Sequence, residues 1–548
     1  MCESAIFTES RRDIFPLAPI VVEAAPGAHL SRGVKQRVSR RRGPGIRSNL
    51  CISSLNSIYG SSLDRSSHCI SSNSLSCSER IHQRMKEYVP SRECSAEEAI
   101  RALLGSEISY DGESRPDTTV APFDMSRVAL PSLLTAPTSA LDMLDCEGAR
   151  IVKGFETELL LSREDYLARL EFEGVQAPYC DPKLKNDLHS YRAFITELFH
   201  QNIVSFSETI LCECGLFFVH KEDKTLRMII HCRPCNQCFK KCAHPPMGGA
   251  SAWSSINLGS SQTLHTSMFD VQAYFYRIGI PVELARFFGL PAVSTAFVAS
   301  LGFDTSSVKS AFMHPIVQVV PMGFSWAMWI AQRVHLHISL EATGLSPSRI
   351  VMDGRPAPVF SCDDESTSVA LMPYADNGNV LALAPELVDK YTSLSIAKLR
   401  SYGFGVHESM DASVAVVSLG VEVLGDVGIV RPSGKRLSRA LLALDAVLNR
   451  PLLCGKQLEK LIGHLTFIML LHRPFLSLLG ACYSFVQSSY LRKQLLWKSV
   501  LDELSHIRNL LPLCVSDIKL RLNSRVHAGD SSRVAASGQG GFSVGSAI

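Results

Sequence analysis

The sequence lacks an uninterrupted apolar run long enough to cross a bilayer. Its most apolar stretch, LIGHLTFIMLL at 461–471, ends at a His-Arg-Pro sequence and is well short of the roughly 20 residues of a transmembrane helix. We therefore expect no membrane partner. A recognisable secretory signal is also missing, although the chain has 17 cysteines. Such cysteines are expected to be free thiols in a reducing, intracellular compartment; the sequence does not distinguish the cytoplasm from the nucleus.

A strong excess of charge of one sign is absent as well. The net charge is +3, and charged residues make up 20% of the chain. This mild basicity is compatible with a nucleic-acid partner but does not predict one. A hydrophobic content of 46% over 548 residues is typical of a globular protein with a substantial core, in about three units of roughly 150 residues.

The first part of the chain differs in composition from the rest. Residues 32–47 carry seven lysines or arginines and no acid, and residues 48–79 contain thirteen serines. Such composition buries too little apolar surface to offset the entropy of ordering, so we predict a disordered region over residues 1–145. The basic tract is typical of nuclear localisation or RNA binding, and equally of a solvated tail.

Ordered patterns begin near residue 146. Apolar spacing predicts a helix in 180–204, a strand–turn–strand in 215–233, an aromatic-rich strand in 268–281, a helix in 393–409 and short strands in 413–435. Beyond residue 436 the period is helical, as at Leu458, Leu461, Ile462 and Leu465. The segregation of strands from helices predicts an α+β core over 146–435 and a helical unit over 436–515.

Two aspartates interrupt apolar segments of this core. In LMPYADNGNVLALA (371–384) the Asn377-Gly378 pair predicts a type I′ hairpin turn, which places Asp376 at the hairpin tip. A turn aspartate often only bonds its own backbone. Asp270, however, interrupts the strand in 268–281. Because two-metal nucleotidyl transfer needs at least two carboxylates on neighbouring strands, the pair predicts a divalent metal site.

Six segments carry a resemblance to a known family. In chain order they are FFVHKEDKTLRMIIHCRPCN (217–236), FDVQAYFY (269–276), VPMGFSWAMWIAQ (320–332), YADN (374–377), SLGVEV (418–423) and GKQLEKLIGHLTFIMLLHRPFL (455–476). Together they resemble the reverse transcriptases of retrotransposons, closest in style to DIRS-like and gypsy-like elements, over about 180–515. The resemblance implies a right-hand polymerase of fingers, palm and thumb. It also implies deoxynucleoside triphosphates and an RNA or DNA template with its primer as partners; it predicts no oligomeric state.

The resemblance also implies roles for the acidic motif. Asp270 and Asp376 would hold two Mg²⁺ ions, for which Mn²⁺ can substitute, and Tyr374 would support the primer end. Asn377 stands where the family has a second aspartate. Asparagine is a poor Mg²⁺ ligand because its amide offers one uncharged oxygen.

Further residues match the family's nucleotide pocket. The resemblance implies that Lys221 and Arg227 neutralise the triphosphate and that Phe275 blocks a ribose 2′-hydroxyl. Met322 and Gly323 would line the pocket. Without the neighbouring motifs, these residues would be interpreted as solvated charges, a core aromatic and a turn glycine.

Three more departures accompany Asn377. Ala273 stands where many relatives have an acid, His231 replaces a usual aspartate and Met322 replaces a usual glutamine. Two interpretations stay open: a divergent enzyme, or a catalytically impaired remnant that keeps nucleic-acid binding.

The cysteines of CRPCNQCFKKC (232–242) offer an alternative interpretation, a different metal site. Cys232, Cys235, Cys238 and Cys242 have the spacing C-x₂-C-x₂-C-x₃-C, which is typical of iron–sulfur ligands and also suits zinc. The segment overlaps the polymerase-like motif, so the two interpretations compete.

The last segment, 516–548, contains VHAGDSSRVAASGQGGFSV (526–544), which resembles the first strand pair of ribonuclease H. Asp530 would be its first metal ligand. Eighteen residues follow Asp530 and supply none of the remaining acids, so we expect no ribonuclease H activity.

Overall fold

The computed structural model describes residues 15–22, 32–59, 71–88, 95–104, 120–131, 136–220, 225–520, 526–531 and 542–547. It contains both helices and strands, which alternate along much of the chain before a mainly helical unit beyond residue 434. Three large apolar clusters of buried side chains form its core.

The central sheet has four antiparallel strands. Their order is Val369–Leu371, Asn377–Ala382, His265–Gln272 and Gly405–Ser413. Ala370 and Leu381 belong to one apolar cluster, whereas Leu371 and Val380 belong to another. Because side chains alternate between the faces of a strand, both faces are buried, which explains the continuous apolar runs in the sequence.

Two long helices support this sheet. Pro385–Ser401 packs against three of its strands, and Ala327–Thr343 packs beside that helix. The first ends at Ser401, shortly before Gly403, whose φ of 82° is in the left-handed region. The predicted helix over 393–409 is therefore wrong at its end, since Gly405–Ser413 is a strand of the central sheet.

Gly215–His220 and Leu226–His231 form a hairpin, which precedes the strands of the central sheet in the chain. Val120–Ala121 pairs with Gly215–His220 at the edge of this hairpin. It confirms the strand–turn–strand prediction for 215–233. The helical prediction for 180–204 is confirmed by Pro182–Asn186 and Leu188–His200.

Smaller sheets complete the strand inventory. They are Val204–Ser207 with Phe312–Val317 and Val293–Ser294; Thr138–Ser139 with Ile278–Gly279; Ala415–Ser418, Val421–Leu424, Ile429–Pro432 and Ser516–Asp517; and Leu452–Leu453 with Gln494–Leu495. The short α-helices are Ala140–Met143, Cys146–Lys153, Phe155–Glu158, Arg163–Glu173, Arg233–Asn236, Ala250–Ser255, Val282–Ala285, Thr295–Ser300 and Glu365–Ser368. The 3₁₀ turns are Met125–Arg127, Tyr274–Arg277, Pro347–Arg349, Leu470–Leu479 and Leu511–Leu513.

The predicted helical unit is present beyond residue 434. Its helices are Gly434–Asn449, Gly455–Met469, Gly480–Ser488 and Lys498–Leu510. The four periodic residues Leu458, Leu461, Ile462 and Leu465 are all buried in its apolar cluster, which confirms the pattern.

One stretch of this unit, Gly455–Ser488, is long and apolar enough to cross a membrane by length and composition alone, with a window of mean hydropathy 1.5. Core helices pass the same test, and this stretch is kinked at His472, where φ is −144° and ψ is 74°. The absence of a membrane partner stays a prediction.

The predicted disorder of residues 1–145 is wrong for the helices described there. These are Arg32–Tyr59, Ser72–Glu87 and Ala96–Leu104. Cys51 and Met85 are fully buried and pack against Leu510 of the helical unit. The hydroxyls of Ser48 and Ser74 donate to backbone carbonyls at 2.8 and 2.7 Å. A tertiary partner supplies the apolar contacts that composition alone does not reveal, and most helical stability comes from such packing.

The hairpin of 371–384 forms, but its turn differs from the prediction. Tyr374 and Asn377 exchange two backbone hydrogen bonds of 2.7 and 2.8 Å, so Ala375 and Asp376 are the turn residues. Ala375 has a φ of 49°. Asp376 is therefore within the turn rather than before it, and the predicted type I′ turn at Asn377-Gly378 is wrong.

Glycine is required at position 378 because of packing rather than because of a turn. It lies on a strand opposite Phe269, and a Cβ at this position would be 2.0 Å from the Phe269 ring. Only glycine leaves room for that ring.

The C-terminal strands Val526–Ser531 and Phe542–Ala547 pair antiparallel. Their membership in a ribonuclease H domain stays a prediction.

Candidate active site

The two aspartates singled out by the sequence lie on neighbouring strands. Asp270 pairs with Asn377 across the central sheet, and the Val271 amide donates to the Asp376 carbonyl at 2.8 Å. Phe269 and Val271 belong to the buried cluster, so alternation along the strand turns Asp270 away from that cluster. Both carboxylates are half-buried and line one cavity of about 430 Å³. We call it the carboxylate cavity.

Three predicted nucleotide-pocket residues line the same cavity: Arg227, Phe275 and Met322. Arg227 comes from the 215–231 hairpin, Phe275 from the turn after Asp270, and Met322 from the loop before the helix Ala327–Thr343. The other lining residues are Ala129, Leu130, Pro131, Val271, Gln272, Ala273, Tyr274, Tyr276 and His407. Lys221 lies outside the described residues. The cavity thus combines two carboxylates, one guanidinium and several aromatic rings.

Two side chains of the helix Ala327–Thr343 hydrogen-bond the backbone of the turn that carries Asp376. The buried Gln332 accepts from the Ala375 amide at 2.8 Å and donates to the Pro373 carbonyl at 2.8 Å. His335 bonds the Ala375 carbonyl through Nδ1 at 2.6 Å. Complete burial lowers the pKa of His335 to about 4, so its ring is neutral at pH 7 and Nδ1 is the donor. Asp376 is therefore presented by a turn with satisfied buried backbone groups.

Asn377 and Tyr374 flank this turn. The Asn377 amide donates to Asp376 Oδ1 at 3.1 Å, which orients the carboxylate. Burial, together with the nearby carboxylates of Asp353 and Asp376, raises the pKa of Tyr374. Asn377 thus contacts Asp376 directly, and Tyr374 lies close enough for the Asp376 charge to affect it. The catalytic role of Asn377 and the primer-supporting role of Tyr374 stay predictions.

The loop that carries Met322 packs closely against Ile230 and is hydrogen-bonded by Asn236. Gly323 has a φ of 123°, and a Cβ there would be 2.4 Å from the Ile230 carbonyl oxygen. The Asn236 side chain donates to the Gly323 carbonyl and accepts from the Ser325 amide, each at 2.9 Å. These two bonds connect the helical turn Arg233–Asn236, which follows the hairpin, to the loop that carries Met322.

Tyr276 and His407 are among the lining residues for which the sequence predicted no role. Tyr276 is 8% exposed, and within the described part of the chain its hydroxyl has no hydrogen-bond partner. Burial raises its pKa, and Arg227 opposes this. A buried polar atom at a cavity wall needs a partner, which a ligand or water supplies. His407, which is exposed, comes from the opposite strand Gly405–Ser413; no sequence signal indicates it.

One of the departures, His231, has a structural explanation, whereas nothing in the structure explains Ala273. His231 is buried and accepts from the Tyr179 amide at 3.1 Å, and burial lowers its pKa. Ala273 has a φ of 51° where the strand gives way to the turn Tyr274–Arg277. An uncharged side chain at 231 suits the buried environment better than a carboxylate.

The predicted four-cysteine set is wrong. Cys232 and Cys235 lie together, but their third neighbour is Cys214; these three sulfur atoms are within 4.8 Å of one another. Cys238 instead bonds the Tyr166 hydroxyl. The helical turn Arg233–Asn236 explains the difference, because it directs residues three apart to one side and ends before Cys238.

No protein-family model matches the sequence, and no curated protein matches it. Among the solved structures that are similar to this chain are two of a foamy viral protease-reverse transcriptase in complex with double-stranded DNA. The form named dRH has 13% identity and a TM-score of 0.42, over 76% of this chain and 67% of that chain. The other has 13% identity and a TM-score of 0.41, over 76% of this chain and 80% of that one. Since both TM-scores are below 0.5, function is inferred from the cavity itself.

Proposed function

We propose that this chain is the RNA-directed DNA polymerase of a retrotransposon, a nucleotidyltransferase. The observation that carries the proposal is the convergence of Asp270 and Asp376 on one cavity that Arg227 also lines. In this proposal the central sheet is the palm, the 215–231 hairpin belongs to the fingers, and the helices from 434 to 510 are the thumb.

The proposed reaction extends a primer by one deoxynucleotide. The primer 3′-hydroxyl attacks the α-phosphorus of a deoxynucleoside triphosphate in line, and pyrophosphate leaves as the new phosphodiester bond forms. Two Mg²⁺ ions, or Mn²⁺, would activate the attacking oxygen and stabilise the leaving oxygen when bound. Asp270 and Asp376 would hold them, since carboxylate oxygens suit hard divalent cations.

The other cavity residues would bind and orient the substrate. Arg227 would pair with phosphate oxygens through its guanidinium, and Lys221 would add a second positive charge. Phe275 would block a ribose 2′-hydroxyl and so select deoxynucleotides. Met322 and Gly323 would line the nucleotide pocket. The unpartnered Tyr276 hydroxyl is available for a polar atom of the nucleotide.

Nucleic-acid binding is supported by a basic cavity on the helical unit. It is lined by Lys435, Arg436, Arg439 and His464, and none of its lining residues is acidic. Burial and the neighbouring Arg439 lower the pKa of Arg436, and burial together with both arginines lowers the pKa of His464. A phosphate would relieve this repulsion, so we assign the cavity to the backbone of the template or primer.

The experiment is primer extension on RNA and DNA templates with Mg²⁺, using the full chain. Asp270→Asn and Asp376→Asn keep the side-chain size but remove the charge, and each is expected to abolish extension. Asp363→Asn, in an exposed loop that does not line the cavity, is the matched control. Undiminished extension by Asp376→Asn would contradict the metal assignment.

A second candidate is a catalytically impaired remnant that keeps nucleic-acid binding. It is favoured by Asn377, whose amide bonds Asp376 instead of adding a second carboxylate at the turn. Asn377→Asp separates the candidates: a gain in extension rate indicates a weakened enzyme. Silence in both forms, with binding of a template–primer duplex retained, indicates the remnant.

A further inference from the structure

Three buried thiols meet beside the hairpin, away from the carboxylates. Cys214, Cys232 and Cys235 are between 0% and 2% exposed, and their sulfur atoms are within 4.8 Å of one another. Cys214 precedes the strand Gly215–His220, whereas Cys232 follows the strand Leu226–His231 and Cys235 lies in the next helical turn. The cluster therefore joins the two open ends of one hairpin.

A fourth thiol lies at the edge of this cluster. Cys212 is half-buried and hydrogen-bonds Cys214 through its side chain. With it, the four cysteines form a C-x-C pair and a C-x₂-C pair from two separate segments. Four sulfur ligands from two such pairs are the donor set of a closed, tetrahedral zinc site.

The surroundings favour a cation at this point over packed thiols alone. As thiols, the three enclosed sulfur atoms would be only weak hydrogen-bond donors and acceptors towards one another. Their bonds are among themselves and to a carbonyl, as from Cys235 Sγ to the Cys232 carbonyl at 3.1 Å. A soft divalent ion would bind all the sulfurs at once as thiolates.

We propose that Cys212, Cys214, Cys232 and Cys235 form a structural zinc site. Each ligating thiol releases its proton to solvent as its sulfur–zinc bond forms, and no electrons are transferred. The set differs from the ferredoxin-type spacing of 232–242, which Cys238 and Cys242 would complete. The proposal does not depend on polymerase activity.

Such a site would also stabilise the cavity wall. A Cβ on Gly323 would be 3.7 Å from Cys232 Sγ, and Asn236, one residue after Cys235, bonds the Gly323 carbonyl. Zinc would therefore fix the turn that holds the loop of Met322, without itself contacting the substrate.

The test measures metal in the full chain. Protein stripped with a chelator and reloaded with Zn²⁺ alone should retain about one ion per chain after desalting. Co²⁺ in its place should give the d–d absorption of a tetrahedral thiolate site. Cys214→Ser and Cys235→Ser should lower the retained zinc at least tenfold. Cys238→Ser and Cys242→Ser are the matched controls and should leave it unchanged.

A second measurement serves if a serine variant fails to fold. In the wild-type chain, Zn²⁺ should slow alkylation of the half-buried Cys212 at least tenfold and leave that of Cys242 unchanged, as read by mass spectrometry. Equal rates with and without zinc, or no retained metal, would overturn the proposal. Zinc loss confined to the Cys238 and Cys242 variants would overturn it in favour of the 232–242 set.

Discussion

The carboxylate cavity and the cysteine cluster lie at opposite ends of one strand, Leu226–His231. Arg227, near its start, lines the cavity, and Cys232 directly follows its end. The cavity has half-buried carboxylate oxygens and opens to solvent, whereas the cluster has buried thiol sulfurs. An open site of hard ligands suits ions that arrive and leave with substrate. A closed site of soft ligands suits one resident ion.

The two regions are mechanically connected through the loop 321–325. Asn236 bonds this loop from the side of the cysteines, and Met322 of the same loop faces the carboxylates. Changes in the loop should therefore affect both regions, whereas changes at either end should affect one.

The largest effect is expected from Gly323→Ala. The new Cβ would be 2.4 Å from the Ile230 carbonyl oxygen at a φ of 123°, so collision and backbone strain together should lower the free energy of unfolding by about 4 kcal/mol. Gly302→Ala is the control, because Gly302 has a φ of 86° but open space around its Cβ position; about 1 kcal/mol is expected there. Urea unfolding measures both, and equal losses would contradict the collision.

Gln332→Met should damage the carboxylate region alone. It leaves the Ala375 amide and the carbonyls of Pro373 and Pro246 without their side-chain partner, at a cost of about 3 kcal/mol in the free energy of unfolding. Primer extension should fall while zinc content stays unchanged. Gln318→Met, which removes one bond to the Asn202 carbonyl, is the control and should have a smaller effect on both stability and extension.

Acidification should weaken the same support. The pKa of His335 falls from 6.5 to about 4 on folding because its ring is buried, so the unfolded chain binds the proton more tightly. The contribution of the neutral His335 to the free energy of unfolding is complete above pH 6.5 and is lost progressively as the pH falls towards 4. At pH 5 this group should remove about 2 kcal/mol. The measurement is urea unfolding at pH 7 and pH 5, and His335→Gln should lose less between these values than the wild type does.

Arg227→Ala should have the smallest effect, and only on the substrate. Its side chain is exposed at the cavity, so stability should not change. Loss of one charge-assisted contact should raise KM for the deoxynucleotide about tenfold, or roughly 1.4 kcal/mol. Steady-state extension kinetics test this against Arg355→Ala, an exposed arginine that does not line the cavity. An equal KM in the two variants would remove Arg227 from the substrate site.

Much of the fold follows from local patterns. The 215–233 hairpin, the buried face at Leu458, Leu461, Ile462 and Leu465, and the hairpin pairing of the two strands that flank Asp376 were predictable because each depends on neighbours a few residues apart. The turn of 371–384 was not. Gly378 was interpreted from local turn chemistry, but its conformation depends on the Phe269 ring from another strand.

The order of residues alone was enough to pick out Asp270 and Asp376, because carboxylates within apolar strands stand out against the cost of burying charge. It was not enough to find Tyr276, the support from Gln332 and His335, or the pairing of Cys214 with Cys232. These depend on segments far apart in the chain, and their distances are set by packing. Tertiary contacts also hold the serine-rich helices near the N-terminus, since Cys51 and Met85 pack in one cluster with Leu510 of the helical unit.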